Sequence, residues 1–428
     1  MYSNIYENLF AGIVKVVTFA LFLINLNKKP NTKLRMKKVF LSLSLLAAGG
    51  LMIVACSDDD NSKSGSKVTK EAVVANYADI VYQNYKDAYD DAVELETAIT
   101  AFTAAPTADG FTAARIKWKQ ARESYGTTEA FRFANGPIDD EKGPEGLLNS
   151  WPLDENFIDY VDNNGAVLNG GIINRTDLYP TISKAVLEGL NEDGGEKNIS
   201  VGYHAIEFLL WGQDLTAPAE NKPGQRLYTD YIDGSTTALN PARRRDYLKI
   251  CADLLTDHLD YLVQLWKPGG TYRATFLALP VTTALQNIYL GITTLSGEEL
   301  ATERMDVALT NQDQEDEHSC FSDNTHRDIA LNLQGVVNVY EGKYGVISGA
   351  SLRDLVKQSD SQFYDDTNNA VEAAKEDVMA IYIPFDYAIS GGASSAEGAK
   401  VKKAVVQLKT LQANLLAGAT AIGVVVND

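Results

Sequence analysis

Residues 68–104 read VTKEAVVANYADIVYQNYKDAYDDAVELETAITAFTA, with apolar side chains at Val73, Tyr77, Ile80, Val81, Tyr85 and Tyr89. Steps of three and four place these on one helical face, so the stretch is predicted to be a long amphipathic helix. A second helix is expected over 110–134, with Ile116, Trp118, Ala121 and Tyr125 on one side. Pro106 and Gly110 separate the two, which favours an antiparallel pair. Residues 135–175, rich in Gly, Asn, Asp and Pro, read as a long ordered excursion with a short helix near Phe157. Helices follow at 176–190 and 200–211. Pro241 suits the first position of a helix running to Trp266, and Lys267-Pro268-Gly269-Gly270 ends it. Residues 271–295 are helical and broken at Pro280. Further helices are expected at 297–309, 313–341, 351–361, 366–384 and 396–423. No segment alternates with period two for long enough to build a core sheet. The chain is therefore expected to be all-α, as two packed helical bundles divided near 240–270, taken as halves 68–245 and 246–428.

The composition fits that reading and narrows the function. In 428 residues, 45% are hydrophobic and 22% charged, an ordinary globular mixture that excludes a disordered or collagen-like chain. Asp and Glu number 57 against 38 Lys and Arg, a net charge of −19. Such a surface repels polyanions, so nucleic acid is not expected as a partner. Three cysteines cannot form a disulfide scaffold. Whether Cys251 pairs with Cys320 is left open by the sequence, which does not place their Cα atoms.

The first 67 residues read as an address. Residues 36–56, MKKVFLSLSLLAAGGLMIVAC, combine a short basic start, an apolar stretch and small Ala55 before Cys56. This is the layout of a secretory signal peptide over 36–55. Ile53-Val54-Ala55-Cys56 resembles a bacterial lipobox, which implies cleavage before Cys56 and lipidation of that cysteine. Residues 56–67 form a polar tether. Its Ser57-Asp58-Asp59-Asp60 resembles the acidic export signal of surface lipoproteins in Bacteroidetes. Residues 1–35 are read as an extension from an upstream start, with Met36 as the true first residue. The expected location is the outer membrane, lipid-anchored and facing the cell surface or the periplasm.

Residues 201–211, VGYHAIEFLLW, carry the sharpest chemical signal. His204 and Glu207 are three apart and share one helix face. An imidazole and a carboxylate at that spacing can ligate one metal ion. The helix is hydrophobic nearly all round, so Glu207 is expected to be buried, where an ionised carboxylate needs a partner or a cation. The competing reading is a core histidine satisfied by a carboxylate.

Three strings together, GYHAIEFLLWGQD (202–214), WKQARESYGTTEAFRFANGPID (118–139) and ERMDVALTNQDQEDEHSCFSDNTHRD (303–328), resemble the imelysin family of iron-regulated and insulin-cleaving lipoproteins. The resemblance covers most of 68–428. It implies an all-helical fold of two bundle-like halves, each resembling a four-helix bundle and related by duplication, with the site where they meet. It implies His204 and Glu207 as metal ligands with Glu129 as a third, and iron, or another divalent transition metal such as zinc, as the cofactor or cargo. Gly202 matches the motif glycine. Arg122, Tyr125, Asp139, Glu303, Arg304, Ser319, Asp323 and Asp328 are implied as further site-lining positions.

Three functions remain in play. The first is a lipoprotein that binds a transition metal, as the ion or a small chelate, for uptake or handling. The second is the metallopeptidase that the family name implies. A peptidase of the usual zinc kind shows His-Glu-x-x-His, whereas His204, His258, His318 and His326 include no pair four residues apart. Ser319 or Cys320 beside a histidine reads as helix capping and core packing rather than a nucleophile. The third is a non-catalytic docking module for an outer-membrane or haem-uptake partner. The acidic run 313–317 is expected to be the solvated start of a helix.

Overall fold

The computed structural model of the protein describes residues 67–426. The leader, Cys56 and nearly all of the tether lie outside the described residues. Ser66–Asp428 forms one compact unit.

The chain is all-α, as its periodicity requires. Helix α1, Lys70–Ala104, starts where the Thr69 hydroxyl accepts from the Ala72 amide. Helix α2, Ala108–Thr128, starts the same way at Thr107, which accepts from Gly110. A short turn joins them, and they pack along each other. The short helix α3, Gly202–Trp211, is buried at every position. Helix α4, Pro241–Trp266, begins with proline in its first turn and packs on α1 and α3. Its continuity places the expected boundary at 245/246 inside one helix.

The rest of the chain builds a second layer. Helix α5, Val281–Thr294, follows the break at Pro280 and runs on through Leu295–Asp306, a stretch wound with π geometry, to Val307–Asn311. The expected separate helix at 297–309 is thus a continuation of α5. Helix α6, Thr325–Glu341, crosses α2 closely, because Gly335 brings its backbone against the Thr127 carbonyl, where a Cβ would lie 2.5 Å from that oxygen. Helices α7, Leu352–Ser359, α8, Ser361–Met379, α9, Phe385–Ser390, and α10, Ala396–Ala421, complete the unit. Two small antiparallel hairpins, 161–168 and 343–348, are the strands among the described residues.

One expectation fails where it matters. Residues 313–324 were expected to be the first turns of a helix reaching 341, but α6 begins only at Thr325. A single 3₁₀ turn spans Gln314–Asp316, and Asp323 takes a left-handed φ of 55° that breaks the helical path. Glu317, expected in solvent, is 1% exposed. The segment folds inward because its own side chains bond to α3 and α6, as described next. Cys251 and Cys320 are both free thiols, each buried. Among the described residues no single helix is long and apolar enough to cross a membrane.

Candidate functional site

The site lies where α2, α3, the 317–324 segment and the first turn of α6 meet. Gly202 opens α3 with φ of 90°, and a Cβ there would sit 2.7 Å from the Leu148 carbonyl oxygen. Both facts require glycine. They set the helix so that His204 and Glu207 point into the protein, 1% and 0% exposed.

His204 Nδ1 and Glu207 Oε2 share a hydrogen bond of 3.0 Å. The other carboxylate oxygen, Oε1, accepts from the Ser322 amide at 3.0 Å and the Ser322 hydroxyl at 2.6 Å. Both oxygens of Glu207 are thereby engaged. His204 Nε2 has no partner at all, although it is buried. Burial, helped by Arg122, lowers the His204 pKa to about 3, so the ring is neutral at physiological pH. Burial pushes Glu207 up to about 8, against the opposing Ser322 hydrogen bond.

A second histidine repeats the arrangement. His318 Nδ1 shares a 2.9 Å hydrogen bond with Asp328 Oδ2, and its ring stands edge-on to that of His204 with centroids 4.6 Å apart. Its Nε2 meets only the Asn149 amide, at a long 3.5 Å. Burial, with Arg304 nearby, keeps this ring neutral too. Each imidazole is thus held through Nδ1 by an acidic side chain, which leaves Nε2 free or nearly so.

Asp328 is the hub. It accepts from Arg122 at 3.0 Å and also from the Ser319 hydroxyl. Burial opposes its ionisation, but Arg122 and the hydrogen bonds from His318 and Ser319 hold its carboxyl far below the usual range. Arg122 also donates to Asn149 at 2.5 Å, and Asn149 donates to Glu129 at 3.3 Å. Glu129 is completely buried and accepts from Arg304 at 2.6 Å, while Arg304 donates to Asn332 at 2.5 Å. Against the penalty of burial, Arg304 and Arg132 hold Glu129 down to about 2.

Most of the expected residues therefore converge. His204, Glu207, Glu129, Arg122, Arg304, Ser319 and Asp328 share one buried polar network, with Gly202 setting its entry. Tyr125 supports it from α2, its ring 4.7 Å from that of Tyr203 and under the Arg122 guanidinium. Three residues stand apart. Asp139 is exposed and only 3.9 Å from Arg132 in a loose pair. Glu303 is exposed on the rim of a cavity. Asp323 has turned to another side, beside Lys119. Glu129, expected beside the His204–Glu207 pair as a third ligand, is instead engaged by Arg304 and Asn149. Sequence reasoning did not reach Asn149 or Asn332, and it held His318 and Ser322 only as positions within a matched motif, without placing them against His204 and Glu207. His318 lay inside a quoted motif, but no fixed spacing ties it to α3. Asn149 sits in the turn-rich excursion, which carries no periodicity to read.

A cavity of about 380 Å³ reaches this network from outside. His318, Asn149 and Trp151 form part of its wall, together with Arg132, Arg304 and five glutamates, 145, 192, 196, 299 and 303. Among the described residues, no three His, Cys, Asp or Glu side chains are gathered so that they could hold a metal ion by themselves.

The family model for Imelysin, whose name places it among peptidases, matches residues 81–415. Iron-regulated protein A of Synechococcus elongatus is 26% identical over 331 residues, covering 74% of this chain and 78% of its own. The crystal structure of a protein of Parabacteroides distasonis, assigned as an iron-regulated protein A precursor, superposes with a TM-score of 0.62 at 19% identity. That match covers 84% of this chain and 98% of the other, and it shows a common fold. With its family model spanning most of the described helices, the chain belongs to the imelysin family.

Proposed function

We propose that the chain binds a transition metal, iron before others, with His204 and His318 as its nitrogen ligands, in the service of metal uptake or handling. The observation that carries this is the unpartnered, buried Nε2 of a neutral His204, facing a second neutral histidine whose Nδ1 is also held by a carboxylate. A buried polar atom without a partner is costly unless something is there to take it. A cation at the rings keeps Glu207 ionised, so that His204, like His318 beside Asp328, carries its proton on Nδ1 and offers a lone pair at Nε2, the form in which metals take imidazole. Glu207 and Asp328 then orient the rings rather than ligate. The ion supplies a Lewis-acidic centre able to carry oxygen ligands.

The residues fit such an ion only in part, since two nitrogens do not complete a coordination sphere. The remaining positions fall to water or to the cargo's own oxygens, which favours a small chelate. Arg132, Arg304 and Asn149 line the cavity beside His318 and suit carboxylates of such a chelate. The name of the cyanobacterial relative supports iron as the metal concerned.

A peptidase would need an activated nucleophile or base. The Ser319 hydroxyl donates to Asp328, whose carboxyl is too acidic to take its proton, and burial keeps the Cys320 thiol protonated. A peptidase here would therefore have to use a metal-activated water rather than Ser319 or Cys320. The resemblance of Ile53-Val54-Ala55-Cys56 to a lipobox supports a lipid anchor in the outer membrane; labelled palmitate incorporated into the wild type and absent from Cys56→Ala checks that anchor.

The test is equilibrium dialysis of the full chain against ferrous iron and ferric citrate, with metal content read directly. His204→Ala and His318→Ala are each expected to weaken uptake by about tenfold or more, as loss of a ligand does. Equal uptake by wild type and both variants would sink the assignment. Chelator-sensitive cleavage of an unfolded peptide, lost in His204→Ala, would move the reading to the peptidase.

A further inference from the structure

A second cavity, of about 250 Å³, opens where α3 ends, and the histidine network does not use it. Tyr160, Asp162, Gly212, Gln213, Leu215 and Arg226 are among the residues that line it. Arg226 is the unusual one. Its side chain is only 1% exposed, and its guanidinium lies against two aromatic rings, 4.9 Å from the centre of Tyr160 and 5.1 Å from that of Phe208. Nη1 donates to Asp159 at 2.7 Å and lies 3.6 Å from Asp230. Nε is buried with no hydrogen-bond partner, and Nη2 donates to none of the described residues. The N–H groups of Nε and Nη2 run parallel along one edge of the guanidinium, so a whole two-pronged edge is left over. Gly212 keeps that edge uncovered. It takes a φ of 71°, and a Cβ there would sit 3.5 Å from Arg226 Nε and 3.2 Å from Arg226 Cβ. Gly212 and Arg226 both line the cavity, which reaches the edge across the bare glycine.

A buried N–H with no acceptor is costly, and it points to something that supplies one. Two parallel N–H groups match the two oxygens of a carboxylate. Gln213 adds a further donor, because its Oε1 accepts from the Asp162 amide at 2.7 Å and its NH2 is left to donate. The last carbonyls of α3 do not turn an anion away, since each already has a donor. Leu209 accepts from the Tyr231 hydroxyl, Leu210 from Arg115, and Trp211 from the Arg226 amide. Leu215, 62% exposed, and the Tyr160 ring supply an apolar side. The Asp162 carboxylate on the same wall and the net charge of −19 work against a multiply charged anion.

We infer that this cavity binds a small ligand with a single carboxylate and a short apolar tail, its two oxygens accepting from Nε and Nη2 of Arg226. Asp159 pins the guanidinium through Nη1, and the aromatic rings fix its plane, so the other edge is presented ready-made. The site stands apart from the histidine pair and does not depend on what His204 binds.

The experiment titrates the full chain with 4-methylpentanoate in a calorimeter, and in separate runs with its neutral amide, with inorganic phosphate and with citrate. The carboxylate is expected to bind with a Kd of about 1 mM or below, and the other three at least about tenfold more weakly. Arg226→Lys keeps a positive charge beside Asp159 but lacks the second parallel N–H, and is expected to weaken binding about tenfold or more. Leu215→Trp changes an exposed side chain at the cavity and fills it without touching the buried pair. It is expected to weaken binding to the same degree, and it decides the matter if Arg226→Lys does not fold. His204→Ala is expected to bind 4-methylpentanoate as the wild type does, which separates this result from the failure of the histidine site. No binding by the wild type at about 10 mM overturns the inference, as does unchanged affinity in Leu215→Trp. Equal or tighter binding of the amide, phosphate or citrate overturns the assignment to a single carboxylate.

Discussion

Asp328 shows how much a single buried residue can carry. It neutralises Arg122, sets the ring of His318 and accepts from Ser319, all at 1% exposure. Removing its charge leaves a buried guanidinium uncompensated. Asp328→Asn is expected to cost about 3–5 kcal/mol in urea unfolding, in line with other broken buried pairs. A change below about 1 kcal/mol would mean that Asn149 alone satisfies Arg122. His204 is the counter-case: its Nε2 bonds to nothing, so its substitution by alanine should change metal uptake more than stability. The sequence pointed to His204 and Glu207 through their spacing on a helix. It did not reveal that Glu207 already has both oxygens occupied, because Ser322 lies far along the chain from it.

At the scale of elements, periodicity and the proline breaks were legible. Pro241 opens α4 and Pro280 breaks the chain before α5, each for a local steric reason; the caps at Thr69 and Thr107 emerged only with the structure. The 313–324 segment was misread because its polar and acidic residues suit a helix start equally well. Long-range bonds from Ser319 and Ser322 to Asp328 and Glu207 drew it inward instead. Gly202 marks the start of α3 with a conformation that no other residue takes cheaply. Gly202→Ala is expected to destabilise the protein by about 1–3 kcal/mol, from the positive φ and the Leu148 contact together. Iron uptake should fall with it, as His204 is displaced. Urea midpoints and dialysis on the same samples check both, and an alanine variant as stable as the wild type would show that α3 can shift at no cost.

For the whole molecule, acid stability is set by carboxylates locked to arginine. Asp159 accepts from Arg226 and Arg244, each at 2.7 Å, at 0% exposure. Burial opposes its charge, but the two arginines hold its pKa down to about 2. Glu129 is held at about 2 by Arg304 in the same way. Both acids are more acidic folded than unfolded. Their contribution is complete above the unfolded values, near 4, and is lost as the pH falls towards 2. Unfolding temperatures measured from pH 5 to pH 2 should hold above about 4 and then drop steeply. Asp159→Asn should lower stability at neutral pH and flatten part of that acid slope. An unchanged slope would place the acid sensitivity in other groups.

What the sequence by itself determined was the all-α class, the principal helices, the family and the pair on α3. These rest on local periodicity, on prolines and on motifs read along the chain. The tertiary structure decided which groups are satisfied and which are not. Only the packed fold brings His318 to His204, engages Glu129 with Arg304 rather than with the histidines, and turns Glu317 inward. The physical reason is that hydrogen bonds and charge pairs between distant segments depend on distances of a few ångströms in space, and spacing along the chain carries no information about them.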